Sequence, residues 1–262
     1  MGVDTFTYYY GTEFMDDPTY TAYNGALGRI DRVMAGQHLS NVLLYYPIET
    51  FQLHHKPSDA QYGSYTVEEN ACESSLTAVM DALLDRQCDF DFVDFDVLSR
   101  CTVRGGGLVT PGGETAQALI LPPMSVTPEM QALFDRLMAA GVPVLTVASD
   151  VFAPAADAVV LSDPAGLVGA LDASRLCVRT DAPAPGVLAL TRDTFAGTRA
   201  TLLCNTTECE TVVTAVFAGM HSPVLYDPMT DAQVPCRFVP VPGGFRAVVT
   251  LPRDRSYIVT EG

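Results

Sequence analysis

The hydrophobic period of this chain changes once, near residue 175, and that change bounds the fold more tightly than any motif in it. Before it, short apolar runs alternate with stretches whose apolar residues recur at i, i+3, i+4 and i+7. NVLLYYP (41–47), FDFVD (90–94), AQALILPP (116–123) and PVLTVASD (143–150) read as strands, expected at 41–46, 90–94, 116–121 and 143–148. AVVL (158–161) is a candidate fifth. Between them, residues 68–87 place Leu76, Val79, Met80 and Leu83 on one helical face. The next helix does the same with Met130, Leu133, Phe134 and Leu137, between a Thr127–Pro128 start and a Gly141 stop. Strands alternating with helices imply a parallel, doubly wound sheet. After residue 175 only short β-rich runs follow: GVLALTRDT, TRATLLCN, TVVTAVF, PVLYD, CRFVPV, FRAVVTL and SYIVT. Turn residues separate them, and the spacing predicts a β-sandwich. The expected fold class is therefore α/β plus all-β.

The first 38 residues form a third piece. VDTFTYYY has strand composition, and after Pro18 the residues Tyr23, Leu27, Ile30 and Met34 share a helical face that stops near Gly36. One βα unit cannot bury itself. It is expected to pack on the α/β domain or on a second chain. The expected organisation is 1–38, 39–175 and 176–262.

Composition excludes several function classes. The chain has 262 residues, 31 acidic against 15 basic, for a net charge of −16. Nucleic-acid binding needs clustered Lys and Arg, and docking on anionic membranes needs the same. No apolar run is long enough to span a bilayer. The seven cysteines are irregularly spaced and contain no C-x-x-C, so reduced thiols fit better than disulfides or a zinc site. MGVDTFTYYYGTEF has no basic n-region or apolar core, so a cytoplasmic location is expected. If the chain is a piece of a longer protein, an upstream signal lies outside it.

No complete catalytic motif is present. RGGGLVTPGGE (104–114) has the glycines of a phosphate loop but precedes a strand, so turns or a small hairpin fit it better. G-x-S-x-G is absent, and Ser149-Asp150 is the nearest equivalent of a nucleophile elbow. Candidate binding residues fall in two places. Glu49, His54 and His55 follow the first parallel strand, at the carboxyl edge where open α/β sheets bind ligands. On an extended segment the two adjacent histidines point oppositely, which argues against a shared metal. Tyr8, Tyr10 and Glu13 supply an aromatic face and a carboxylate of the kind that bind sugar rings, or they serve packing. No metal and no cofactor is expected.

Certain longer phrases carry a resemblance. YNGALGRIDRVMAGQHLSNVLLYYPIET looks like a last barrel helix leading into a domain's first strand. LLDRQCDFDFVDFDVL and GGGLVTPGGETAQALILPPMSVTPEMQALFDRLMAAGVPVL look like the middle of that domain, and LLCNTTE, VLYDPMTDAQVPCRF and VVTLPRDRSYIV like a terminal sandwich. In this order they resemble the C-terminal portion of multidomain bacterial glycoside hydrolases, namely β-galactosidases with a trimerisation domain and α-L-rhamnosidase-like enzymes. The resemblance implies a flavodoxin- or class I amidotransferase-like domain, then a small antiparallel sandwich, with residues 1–38 as a barrel remnant. It implies a non-catalytic accessory and assembly region able to rim a carbohydrate site. Its partner would be a catalytic barrel or further copies in a homo-oligomer. A barrel takes its catalytic groups from several strand ends, and at most one βα unit of a barrel is here. The rival reading is a self-contained small-molecule binder or hydrolase that uses the carboxyl edge of its sheet.

Overall fold

The computed structural model describes residues 16–56 and 65–262. Helix α1 (Asp17–Met34) leads into β1 (Gly36–His38), β2 (Val42–Tyr45), α2 (Ile48–His54) and α3 (Val67–Leu84). Then come β3 (Phe90–Val93), α4 (Phe95–Arg100) and a short antiparallel trio, β4 (Thr102–Arg104), β5 (Gly107–Val109) and β6 (Thr115–Ala116). Strand β7 (Leu119–Leu121), α5 (Pro128–Ala139), β8 (Val144–Val147) and β9 (Val159–Leu161) follow. The remainder is β10 (Val178–Thr180), β11 (Val187–Thr194), β12 (Arg199–Asn205), β13 (Thr211–Ala218), β14 (Pro223–Asp227), β15 (Ala232–Val234), β16 (Val239–Val241), β17 (Gly244–Leu251) and β18 (Ser256–Glu261). The protein thus combines helices with one parallel sheet and several antiparallel sheets.

These elements form two compact units. One holds Ser40–Leu83 and Phe90–Arg175. Its sheet runs β3-β2-β7-β8-β9, with every neighbouring pair parallel. Strands β2, β7 and β8 are buried along their whole length, as a strand covered on both faces must be. Helix α5 starts as its sequence demands: the Thr127 hydroxyl accepts from Met130 N, Pro128 takes the first turn, and Gly141 ends it at φ +87°. Helix α3 opens with a reciprocal cap, Glu69 N donating to the Thr66 hydroxyl and Thr66 N to the Glu69 carboxylate. The glycine run makes the hairpin between β4 and β5, with Gly105 and Gly106 both at positive φ, as a tight two-residue turn requires.

The other unit gathers the described residues up to Leu39, Leu84–Asp89 and Leu176–Gly262. A six-stranded antiparallel sheet, β1-β11-β12-β18-β14-β15, and a four-stranded one, β10-β13-β17-β16, enclose a core around Val187, Leu203, Phe217, Val249 and Val259. Helix α1 lies on the six-stranded sheet. Met34, Ile30 and Val33 pack with Ala200, Leu202 and Ile258. The segment after α3 is held by Gln87, whose side-chain amide donates to the carbonyls of Ala184 and Val187. His38 and Asp89 meet at 2.5 Å, both buried.

Several expectations differ from this. The N-terminal helix packs on sandwich strands, where a seat on the α/β sheet or a second chain was expected. Its buried face is Ala26, Ile30, Val33 and Met34, and Tyr23 stays 39% exposed. The run at 68–87 stops being helical at Leu84, and 116–121 is divided between β6 and β7. Residues 48–54, read as an extended loop, are helix α2. The expected strand over VDTFTYYY lies outside the described residues.

Candidate functional site

In order of appearance, the parallel strands run second-first-third-fourth-fifth. The connections leaving β2 and β7 diverge at that point, the position where open α/β sheets bind ligands. The loop after β2 is short and turns into α2. The loop after β7 runs Pro122-Pro123-Met124-Ser125 before the α5 cap. Two hydrogen bonds join these segments. Ser125 N donates to the Thr50 hydroxyl at 3.0 Å, and the Ser125 hydroxyl and His54 Nε2 lie 2.9 Å apart.

The remaining candidates do not converge there. His55 turns to Glu69, with Nδ1 at 3.3 Å from the carboxylate, and its side chain is 62% exposed. The two histidines diverge because His54 ends a helix and His55 leaves it extended. The Glu69 carboxyl is held below its usual range by the Thr66 backbone N–H, with smaller contributions from the Thr66 hydroxyl and His55. Ser149 is occupied in its own turn, its hydroxyl accepting from Val151 N and Phe152 N. Glu49 sits in the first turn of α2 beside Tyr45. The Tyr45 hydroxyl and Glu49 Oε2 are both buried. Burial first, then the charge of Glu49 and a hydrogen bond to it, and last the charge of Asp94, push the Tyr45 hydroxyl far above the usual tyrosine range. Tyr8, Tyr10 and Glu13 lie outside the described residues.

Beside Ser125 an open groove of about 560 Å³ runs between the loops that follow β7 and β8. Its walls include Met124, Val126, Val151, Phe152 and Pro154. The chemical capacity of this edge is limited. A serine and a histidine in hydrogen-bond contact are two parts of an acyl-transfer set. Among the described residues no carboxylate orients His54, and the Ser125 N–H that would face an oxyanion is bonded to Thr50. No group of three or more His, Cys, Asp or Glu side chains able to hold a metal occurs among them. No described helix is long and apolar enough to cross a membrane.

Ser125 is the residue that sequence reading missed. Its signal was its position, immediately beyond the carboxyl end of the strand that pairs with β2.

No family model and no curated protein matches the sequence. Solved structures do. A rhamnosidase from Novosphingobium sp. PP1Y matches 92% of this chain with a TM-score of 0.61 and 14% identity. The α-L-fucosidase isoenzyme 2 of Paenibacillus thiaminolyticus matches 94% with a TM-score of 0.56 and 13% identity. At such identities the likeness is one of fold. The chain spans 24% of the rhamnosidase's length and 53% of the fucosidase's.

Proposed function

We propose that this chain is a non-catalytic accessory region of a glycoside hydrolase, a flavodoxin-like domain joined to a β-sandwich, which works beside a catalytic barrel and borders its carbohydrate site. One observation carries this reading: nearly the whole chain superposes on a minor part of a rhamnosidase. The flavodoxin-like reading is supported by the all-parallel order β3-β2-β7-β8-β9. The non-catalytic reading is supported by candidate groups at the carboxyl edge that bond to one another or to backbone. Tyr46 and Phe92, 41% and 48% exposed and set edge-on at 5.7 Å, offer an aromatic surface of the kind that stacks on sugars.

The test is a panel of nitrophenyl glycosides offered to the chain alone. Release at the background rate is expected. Turnover that disappears in Glu49→Gln would overturn the proposal.

The 2.9 Å contact between Ser125 and His54 favours a second reading, a hydrolase of small esters. In that case nitrophenyl acetate is cleaved, and both Ser125→Ala and His54→Ala abolish cleavage. Background release from the wild type removes this reading.

A further inference from the structure

Asn205-Thr206-Thr207 is an acceptor sequence for N-linked glycans, and of the four asparagines in the chain only this one is followed by x-Ser or x-Thr. A glycan is bulky and solvated, so such a sequence serves as an acceptor from an exposed loop. Here β12 carries it into the sandwich. Asn205 ends the strand and is 2% exposed. Its amide nitrogen donates to the carbonyls of Cys209 at 2.9 Å, Leu251 at 3.1 Å and Pro252 at 3.1 Å, so three acceptors share two hydrogens. Its amide oxygen accepts from Thr207 N at 2.9 Å. The side chain thereby ties the turn after β12 to the turn between β17 and β18, where Asn205 N also donates to the Arg255 carbonyl.

The other two residues of the sequence are held as firmly. Thr206 N and the Thr206 hydroxyl both donate to the Gly186 carbonyl, each at 2.8 Å. The Thr207 hydroxyl lies 2.8 Å from Asn205 Oδ1, 2.9 Å from the Cys209 carbonyl and 3.1 Å from the Thr211 hydroxyl. Every polar group that marks the acceptor is therefore engaged inside the domain.

Glycan transfer forms a bond between Asn205 Nδ2 and the anomeric carbon of a lipid-linked oligosaccharide. It breaks that carbon's bond to the pyrophosphate leaving group and passes one amide proton to a base on the transferase. A nitrogen bonded to three carbonyls and covered by the sandwich does not reach that carbon. The reverse also holds. A sugar on Nδ2 replaces one of its hydrogens, so at least one of those carbonyls loses its donor, and a polar ring has to enter the core. We infer that Asn205 is a glycan acceptor only in the unfolded chain: the native sandwich excludes the glycan, and a glycan attached first excludes the native sandwich. This goes beyond the accessory role proposed above and does not depend on it.

The test sends the full chain, behind an added leader, into the secretory pathway of a eukaryotic cell. Protein recovered from cells and medium is sorted by protease resistance and treated with peptide N-glycosidase. The protease-resistant wild type should run at the single-chain mass of 28.1 kDa and should not shift on treatment. Phe217→Ala empties the centre of the sandwich, and its protease-sensitive product should shift. Adding Asn205→Gln to that variant should remove the shift. Val249→Asp replaces Phe217→Ala if that protein stays protease-resistant. Protease-resistant protein with a glycan on Asn205 overturns the inference. So does an unfolded variant that stays unmodified, because the fold would then not be what closes the site.

Discussion

Tyr45 closes the first parallel strand with its ring edge-on to Phe134 at 5.8 Å and its hydroxyl buried beside Glu49. The folded-state pKa of that hydroxyl is raised, chiefly by burial and then by Glu49. An acid raised in this way binds its proton in the folded state after the unfolded chain has released it. Its contribution is therefore complete below the ordinary tyrosine value of 10.0 and is lost as pH rises toward the folded value. Above pH 10.0 Tyr45 should cost stability at about 1.4 kcal/mol per pH unit. Tyr45→Phe removes that slope. Denaturant titrations between about pH 9 and 11 test this, and parallel losses in the two proteins would refute it. The sequence did not reveal this site as a unit. Glu49 and His54 were visible as polar residues after a strand, but Ser125 lies 71 positions from His54, and only the sheet order brings them together.

Elements whose period is strong were legible for a physical reason. A strand buried on both faces is apolar throughout, and a helix on a sheet shows its stripe, so β2, β7, β8 and α5 could be read directly. Helices α2 and α4 have only 7 and 6 residues, too few to display a period. Strand β1 was hidden for another reason: Gly36, read as a helix stop, is needed for close approach. A Cβ there would lie 2.2 Å from the Asp193 carbonyl oxygen and 2.5 Å from Thr194 Cα, both backbone atoms of the paired strand. Gly36→Ala should therefore push β1 away from β11, at a cost of about 1–3 kcal/mol, in the range of overpacked cores. Hydrogen exchange reads it locally. The Leu39 amide, bonded to the Thr191 carbonyl, should lose protection while amides in β8 keep theirs. Unchanged protection at Leu39 would mean that the strands part without strain.

The chain passes between its two units four times, at Leu39–Ser40, Leu83–Leu84, Asp89–Phe90 and Arg175–Leu176. The change of period near residue 175 marks the last of these, and the two around Leu84–Asp89 leave no trace in it. Periodicity reports local secondary structure, and Leu84–Asp89 looks like the end of a helix whichever unit receives it. This threading has a consequence for dissection. Residues 176–262 hold nine of the strands but not β1, α1 or the Gln87 segment. Without α1, Ala200 and Ile258, both fully buried, lose their cover along with Leu190 and Leu202. Exposing a large apolar side chain costs about 1.5–3 kcal/mol, and a domain's whole stability is about 5–15 kcal/mol. The carbonyls of Ala184 and Val187 also lose the Gln87 amide, and the edge of β11 loses its partner. These losses together are comparable to the stability of the sandwich. A fragment of residues 176–262 should show no cooperative thermal transition and should bind a hydrophobic dye, whereas the full chain melts cooperatively. A fragment that melts cooperatively near the full chain's temperature would show that the sandwich stands without the segments threaded into it.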